Sequence, residues 1–199
     1  MEDSLTRVVK WVDIAAPRQE VFEIVTDLCK RSQLCPLWSV LTFGAISDNY
    51  PQEGSQYQLV LREEQKPPLT SIVTALVPLR KFAYKLLVDR KTQVTWIFQD
   101  TTQGTRIVYS EEYLPKESDN DQFLQELHTI IQQWLNNIKR YAELRKSRSQ
   151  RLVRWLADHF YLNLRADQRR TVQIILFLHG VSIITFIMAA IALGFASLI

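Results

Sequence analysis

Hydrophobic and polar positions divide the first 144 residues into a strand, two short helices, a series of strands and a long helix. Residues 5–14 are rich in β-branched side chains that alternate with polar ones, which predicts a strand. Pro17 and Glu20 then favour a helix start, because proline fits the first turn and a carboxylate there complements the helix dipole. A second, shorter helix is expected over 28–36.

Six further strand-like runs follow, separated by turn residues. They cover residues 38–46, 54–62, 70–79, 82–89, 94–100 and 105–114. Because the breaks between them are short, neighbouring strands are expected to run antiparallel.

A long helix is predicted from the polar residues 118–120, which suit an N-cap, to about residue 144. Its apolar residues recur every three or four positions, so one broad face is expected to lie on the sheet. The predicted fold class is therefore α+β, with a curved antiparallel sheet around one long helix. A curved sheet and a straight helix cannot touch everywhere, which predicts a space between them.

The remaining residues differ from this domain in charge and hydropathy. Residues 172–199 contain no Asp, Glu, Lys or Arg, and a bilayer core is crossed by about 20 apolar residues in a helix. This predicts a single-pass transmembrane helix at the C-terminus, with the lipid bilayer as a partner. The expected organisation is a domain at 1–144, a basic juxtamembrane segment at 145–171 and a membrane anchor at 172–199.

Basic residues are concentrated just before the apolar run, where residues 145–199 hold eight Lys or Arg and two Asp or Glu. The proposed membrane-surface residues are Arg145, Lys146, Arg148, Arg151, Arg154, Arg165, Arg169 and Arg170. Their position predicts a cytoplasmic domain by the positive-inside rule, and lipid rather than nucleic acid as the partner. Residues 151–164 form an amphipathic helix candidate that lies either on the membrane or back on the domain.

Catalytic signals are sparse. The three histidines have no Ser, Cys or carboxylate at a spacing that suggests a triad or metal site, and no glycine-rich phosphate loop occurs. Cys29 and Cys35 are interpreted as two thiols in a reducing compartment. No metal or cofactor is predicted. Glu111 shares strand parity with Tyr109, which makes it the best candidate for an inward carboxylate and a weak candidate for acid–base chemistry.

The residues Val12 to Pro17, followed by Val21, Phe22 and Asp27, resemble the opening motif of the START/SRPBCC superfamily. A second match joins 94–96 to 104–106. The closest branches are the polyketide cyclase/dehydrase-like and coenzyme Q-binding-like ones. The resemblance covers residues 4–144 and implies a helix-grip fold with a hydrophobic cavity for an apolar or amphipathic small molecule. It implies no catalytic set, because the superfamily shares none.

Strand parity and helix periodicity give the candidate lining of that cavity. The candidates are Tyr57, Leu59, Leu61, Ile72, Thr74, Leu76, Val94, Trp96, Phe98, Tyr109, Glu111, Ile131, Trp134 and Ile138. A register slip of one residue would exchange the two faces of any of these strands.

Three functions fit the sequence. The first is a membrane-anchored domain that binds or presents a lipid, quinone or other isoprenoid. The second is a cyclase or dehydratase acting on such a molecule. The third is a membrane-tethered adaptor with a filled core and no ligand. Thermal stability that responds to a lipid class would separate the first two from the third.

Overall fold

One antiparallel sheet organises the computed structural model, which describes residues 5–36, 40–61, 68–87, 90–116, 119–145, 147–164 and 166–196. Within these residues the sheet has seven strands in the order β1-β7-β6-β5-β4-β3-β2. The strands are β1 Thr6–Ile14, β2 Val40–Ala45, β3 Gln56–Leu61, β4 Leu69–Val77, β5 Lys81–Leu86, β6 Gln93–Thr101 and β7 Gly104–Tyr113. The predicted α+β architecture, an antiparallel sheet with a long helix, is confirmed.

Two short helices connect β1 to β2, and a long helix follows β7. The helices are α1 Arg18–Thr26, α2 Leu28–Leu34 and α3 Asp121–Glu143. Asp27 ends α1 and caps α2, because its side chain accepts a hydrogen bond from the Lys30 amide at 3.0 Å. Asn120 caps α3 in the same way through the Phe123 amide at 2.8 Å.

The core lies between the inward face of the sheet and one face of α3. Along β1, Val8, Val12 and Ile14 are buried while the residues between them are at least partly exposed, which is the alternation expected of a strand with one covered face. On α3 the buried residues are Ile131, Trp134, Leu135, Ile138, Tyr141 and Ala142. Their three- and four-residue spacing matches the apolar face predicted from the sequence.

The two sequence motifs that carried the family resemblance meet in the structure. Arg106 forms a two-pronged ion pair with Asp13 at 2.7 and 2.8 Å. The Thr105 hydroxyl donates to the Ala16 carbonyl at 2.8 Å, and the Ala15 amide donates to Glu143 of α3 at 2.9 Å. The motifs therefore join the β1–α1 connection to the β6–β7 hairpin and to the long helix.

After α3 the chain continues into a helix, α4 Arg148–Leu156, and a π-helix, Ala157–Tyr161. Ser147 and Gln150 form a reciprocal capping box at the start of α4, within the basic segment 145–171. Contacts between residues divide the chain into two compact units, Met1–Asn163 and Leu164–Ile199. The second unit contains α5, Ala166–Ala196.

The predicted transmembrane anchor requires a correction. Among the described residues, no helix combines the length and the apolar character that crossing a membrane requires. The prediction counted an unbroken apolar run to the C-terminus, whereas 197–199 lie outside the described residues and the side chains of 189–196 are not described. The prediction of an integral membrane protein with a cytoplasmic domain is therefore contradicted.

Candidate functional site

The candidate site is the interior between the sheet and α3, where most of the predicted lining residues are buried. Those with at most 3 % of their surface exposed are Tyr57, Leu59, Val94, Trp96, Phe98, Tyr109, Ile131, Trp134 and Ile138. Leu61 cannot be placed in this way, because its side chain lies outside the described residues.

Strand β4 departs from the predicted parity. Its register against β5 shifts between Val73 and Ala75, which marks a β-bulge. Before the bulge Ser71 and Val73 are buried, whereas Ile72 pairs with the exposed Lys85 and so faces outward.

Beyond the bulge the facing of β4 is reversed. Leu76 pairs with the buried Phe82 and packs against the core. Thr74 lies at the irregularity, where its Oγ1 is buried. The inward placement predicted for Leu76 is thus met, and that predicted for Ile72 is not, because one extra residue exchanges the faces of a strand.

Aromatic rings fill the interior where α3 crosses the sheet. The Trp96 and Trp134 rings lie edge to face with centroids 5.1 Å apart, and Trp96 and Tyr109 lie 4.8 Å apart. The Trp134 indole N–H donates to the Arg31 carbonyl at 3.1 Å, which ties α3 to α2. At this level the helix and the sheet are in direct contact, so the space predicted between them does not extend here.

A concavity of about 550 Å³ lies elsewhere, at the surface beside the first half of α3. Its lining residues are Lys10, Asp121, Leu124, Gln125, His128 and Thr129. This lining is mixed in polarity and open to solvent, unlike the apolar interior that the resemblance implies.

The interior contains a buried cation that the sequence analysis missed. Arg31 on α2 is 2 % exposed, and its guanidinium carbon lies 5.3, 5.0 and 5.0 Å from the ring centroids of Tyr57, Phe82 and Tyr84. Its Nη1 donates to the Val25 carbonyl at 2.7 Å. A sequence signal did exist, because Arg31 lies three residues from both Leu28 and Leu34 and so shares their buried side of the helix.

The tyrosines around Arg31 carry no compensating negative charge at neutral pH. Burial raises the pKa of Tyr57 to about 12, although the nearby Arg31 charge opposes the shift. Burial likewise raises the pKa of Tyr84 well above its ordinary value. The Tyr50 hydroxyl, 3.3 Å from Nη1, donates its own proton to the Thr26 carbonyl at 2.8 Å. Arg31 is therefore surrounded by neutral hydroxyls and ring faces.

Several buried polar atoms near this cluster have no hydrogen-bond partner within the described part of the chain. They include Ser32 Oγ, Ser71 Oγ and Trp96 Nε1. Ser71 lies opposite Tyr57 on the neighbouring strand, and its hydroxyl interacts with the Tyr57 hydroxyl. The Trp96 indole N–H interacts with the Tyr84 hydroxyl. Neither contact has the geometry of a hydrogen bond. Buried polar groups are nearly always satisfied by protein, water or a ligand, so these atoms mark positions where one of the last two is expected.

Glu111 lies on the same inward face, at partial exposure, and accepts a hydrogen bond from the Tyr109 hydroxyl at 2.6 Å. Burial raises the pKa of Glu111, against the lowering effects of the Tyr109 hydrogen bond and the Arg90 charge. Its carboxyl group is therefore easier to protonate than that of an ordinary glutamate, which suits a proton donor.

The raised pKa gives Glu111 a defined effect on stability. A carboxyl group whose pKa is raised by folding stabilises the fold below its unfolded pKa, and that contribution is lost as the pH rises through the folded pKa. We expect Glu111→Gln to become progressively more stable relative to the parent as the pH rises above 4.5, the ordinary pKa of a glutamate carboxyl group, because glutamine keeps an acceptor for Tyr109 but carries no charge. Melting temperatures at several pH values measure this.

Glu112→Gln is the matched control, because Glu112 is the next residue on β7 and pairs at the surface with Arg7 at 3.3 Å. A melting-temperature difference between Glu111→Gln and the parent that stays constant with pH would contradict the assignment.

The predicted membrane-surface residues fall into different environments. Arg145 and Arg154 both form ion pairs with Glu20 of α1, and Arg154 also lies over the Tyr141 ring at 4.7 Å. Arg148 and Arg151 are exposed, and Arg169 Nε donates to the Leu164 carbonyl at 2.8 Å. Lys146 and Arg165 lie outside the described residues, as does the side chain of Arg170.

Polar residues attach the segment after α3 to the domain, so its apolar row faces outward. Asp158 of the π-helix pairs with Lys30 and accepts a hydrogen bond from Tyr141 at 2.6 Å. The exposed large hydrophobic residues of the segment are Leu152, Val153, Trp155, Leu156 and Phe160. The segment thus lies on the domain, the alternative left open by the sequence, while contact of its basic residues with lipid stays a prediction.

Comparison with known proteins identifies relatives of the fold. Residues 6–143 match a family model described as polyketide cyclase / dehydrase and lipid transport. No curated protein matches the sequence.

Solved structures share the fold at low sequence identity. The Aha1 dimer from Colwellia psychrerythraea superposes with a TM-score of 0.55 at 13 % identity, covering 71 % of this chain and 99 % of that one. Ara h 8.0201 gives 0.55 at 12 %, covering 70 % and 98 %. The di-domain ARO/CYC StfQ from the steffimycin biosynthetic pathway gives 0.57 at 15 %, covering 72 % and 52 %.

Proposed function

Since the chain belongs to the polyketide cyclase/dehydrase and lipid transport family, we propose that it binds one apolar small molecule in the interior between the sheet and α3. The observation that carries the proposal is the combination of two groups of packed aromatic rings, one around Tyr57 and Tyr84 and one around Trp96 and Trp134, with buried polar atoms that lack hydrogen-bond partners among the described residues. A core that served packing alone would have little reason to keep such atoms, because each costs about 1–3 kcal/mol when unsatisfied.

Entry of a ligand requires the interior to open. The residues Leu76, Leu86, Phe123, Leu124 and Leu127 are partly buried and pack against the core, so they form the less tightly covered part of the interior. Their apolar character favours a ligand that is itself apolar along most of its length, since burying apolar surface contributes about 25 cal/mol per Å².

Quenching of buried tryptophans tests this proposal in the full chain. The probe is 12-bromododecan-1-ol, because bromine quenches indole emission only at short range. Trp11 and Trp155, which are 55 % and 49 % exposed, are first changed to Phe together with Trp38, so that of the five tryptophans only Trp96 and Trp134 report. We expect quenching that saturates at one probe per chain; weak quenching that rises linearly with probe concentration would contradict an interior site.

A second candidate function, acid–base catalysis on the bound molecule, is favoured by the Tyr109–Glu111 hydrogen bond and the raised pKa of Glu111. In a dehydration, protonated Glu111 would donate its proton to the leaving hydroxyl as the C–O bond breaks and water departs, and the resulting carboxylate would accept the proton from the neighbouring carbon as the double bond forms. Loss of turnover in Glu111→Gln with unchanged ligand affinity would support this role, whereas turnover that survives in Glu111→Gln would contradict it.

A further inference from the structure

The guanidinium of Arg31 differs from the other described cations that lie over aromatic rings. Those cations also form ion pairs with a carboxylate: Lys30 with Asp158, Arg90 with Asp119, Arg106 with Asp13 and Arg154 with Glu20. Among the described residues Arg31 forms no such pair, although it is the most deeply buried of the five. A buried charge without a counter-charge costs several kcal/mol, so its retention points to a compensating group.

The surroundings of Arg31 favour an anion over a neutral group. The two hydrogen bonds that its guanidinium donates, to the Val25 carbonyl and the Tyr50 hydroxyl, both use Nη1, so they leave the Nε and Nη2 donors for another partner. The hydroxyl of Ser71 and the indole N–H of Trp96 are fully buried beside the Tyr57 and Tyr84 hydroxyls, and neither forms a hydrogen bond of good geometry within the described chain. These groups are donors, and an oxygen anion would accept from them.

A carboxylate fits this arrangement better than a phosphate does. One guanidinium edge matches the two oxygens of a carboxylate, and the remaining donors are single and neutral. A phosphate monoester carries nearly two charges and three strong acceptor oxygens, which call for more cations than the one found here. The neighbouring Tyr57, Phe82 and Tyr84 rings would contact the apolar body of the ligand.

We propose that Arg31 is the anchor for the carboxylate of an apolar carboxylic acid bound in the interior. This rests on the proposed function, since it assigns the ligand class of the same site. The carboxylate would lie at the Arg31 guanidinium, and the apolar chain would extend toward Trp96 and Trp134 once the interior opens, since α3 and the sheet are in direct contact there.

Two probes of equal chain length test the binding of a carboxylate by Arg31 separately from the existence of the interior ligand site. Laurate carries a carboxylate and dodecan-1-ol does not, so the ratio of their affinities for the full chain measures the contribution of charge. We expect laurate to bind at least about tenfold more tightly, which corresponds to the 1.4 kcal/mol of a charge-assisted hydrogen bond. In Arg31→Met that ratio should fall to about one through loss of laurate affinity, with dodecan-1-ol affinity retained.

Arg106→Met is the matched control, because Arg106 also lies over a ring, that of Trp11, and is on the outer face of the sheet. It should keep the preference for laurate. If Arg31→Met does not fold, Arg31→Lys is used instead. Lysine keeps the positive charge but lacks the planar guanidinium that binds a carboxylate through two hydrogen bonds, so it should retain part of the preference for laurate over dodecan-1-ol. Equal affinities of the two probes for the parent would overturn the anchor and leave the interior site standing. Binding of neither probe would overturn both.

Discussion

Trp134→Ala is expected to lower the free energy of unfolding by about 4 kcal/mol, within the range for removing a large aromatic side chain from a core. Trp134 is 3 % exposed, packs edge to face with Trp96 at 5.1 Å and tilted against Tyr109 at 5.9 Å, and donates to the Arg31 carbonyl. The substitution removes the contacts between α3 and the sheet and the hydrogen bond between α3 and α2 together. Chemical denaturation followed by circular dichroism measures the change.

Two further variants separate the possible causes of a large loss of stability in Trp134→Ala. Trp134→Phe keeps a ring against Trp96 but loses the hydrogen bond to Arg31, so it should cost about 1–2 kcal/mol. Trp11→Ala removes a tryptophan that is 55 % exposed on β1 and should change stability by much less. A Trp134→Ala loss as small as that of Trp11→Ala would show that the helix does not rest on this contact.

Gly104→Ala is expected to cost about 3 kcal/mol or more, because it combines a strained backbone with a steric clash. Gly104 has a φ of 149° in the tight β6–β7 turn, a conformation that side chains rarely permit. An added Cβ would overlap the carbonyl oxygen of Ile14 and lie 2.9 Å from the Ala16 nitrogen. Backbone atoms cannot move aside as a flexible side chain can, so the hairpin and the β1–α1 connection would have to separate.

Gly44→Ala provides the comparison for Gly104→Ala. Gly44 lies on β2, and an added Cβ there meets nothing within 4 Å. We expect this variant to match the parent in melting temperature or to exceed it slightly, since alanine in a strand loses less backbone entropy than glycine on folding. Similar melting temperatures for the two alanine variants would contradict the close packing described around Gly104.

Much of the fold could be predicted from the sequence because its signals are local. Alternation in β6 predicted that Val94, Trp96 and Phe98 face inward, and the polar residues before α3 located its start, where Asn120 provides the cap. The segments that carried the family resemblance include Asp13, Ala16 and Thr105, and in the structure the contacts of these residues join separate parts of the chain.

The remaining features depend on contacts between distant residues. The bulge at Thr74 changes which residues of β4 face inward, and no turn residue in the sequence predicts it. Arg31 is buried only because Tyr57, Phe82 and Tyr84 from two strands surround it. The spacing of Leu28, Arg31 and Leu34 favours the buried side of α2, but the charge of an arginine argues for the surface, since charged residues are seldom buried.

The segment after α3 shows a different difficulty. Its apolar row was predicted correctly as a row, but an amphipathic pattern does not say which of its two faces meets the domain. Ion pairs determine which face of this segment meets the domain, because Asp158 pairs with Lys30 and Arg154 pairs with Glu20. The integral-membrane prediction rested instead on the uncharged run 172–199 and the basic residues before it, and the described helices contradict it.

Native mass spectrometry of the full chain as purified tests the central claim most directly. The account predicts a single apolar carboxylic acid retained at one molecule per chain and identified after extraction. The same molecule should be retained by Arg106→Met and depleted in Arg31→Met. A chain that carries no small molecule under gentle conditions, and that gains none when laurate or dodecan-1-ol is added, would contradict the existence of an interior ligand site.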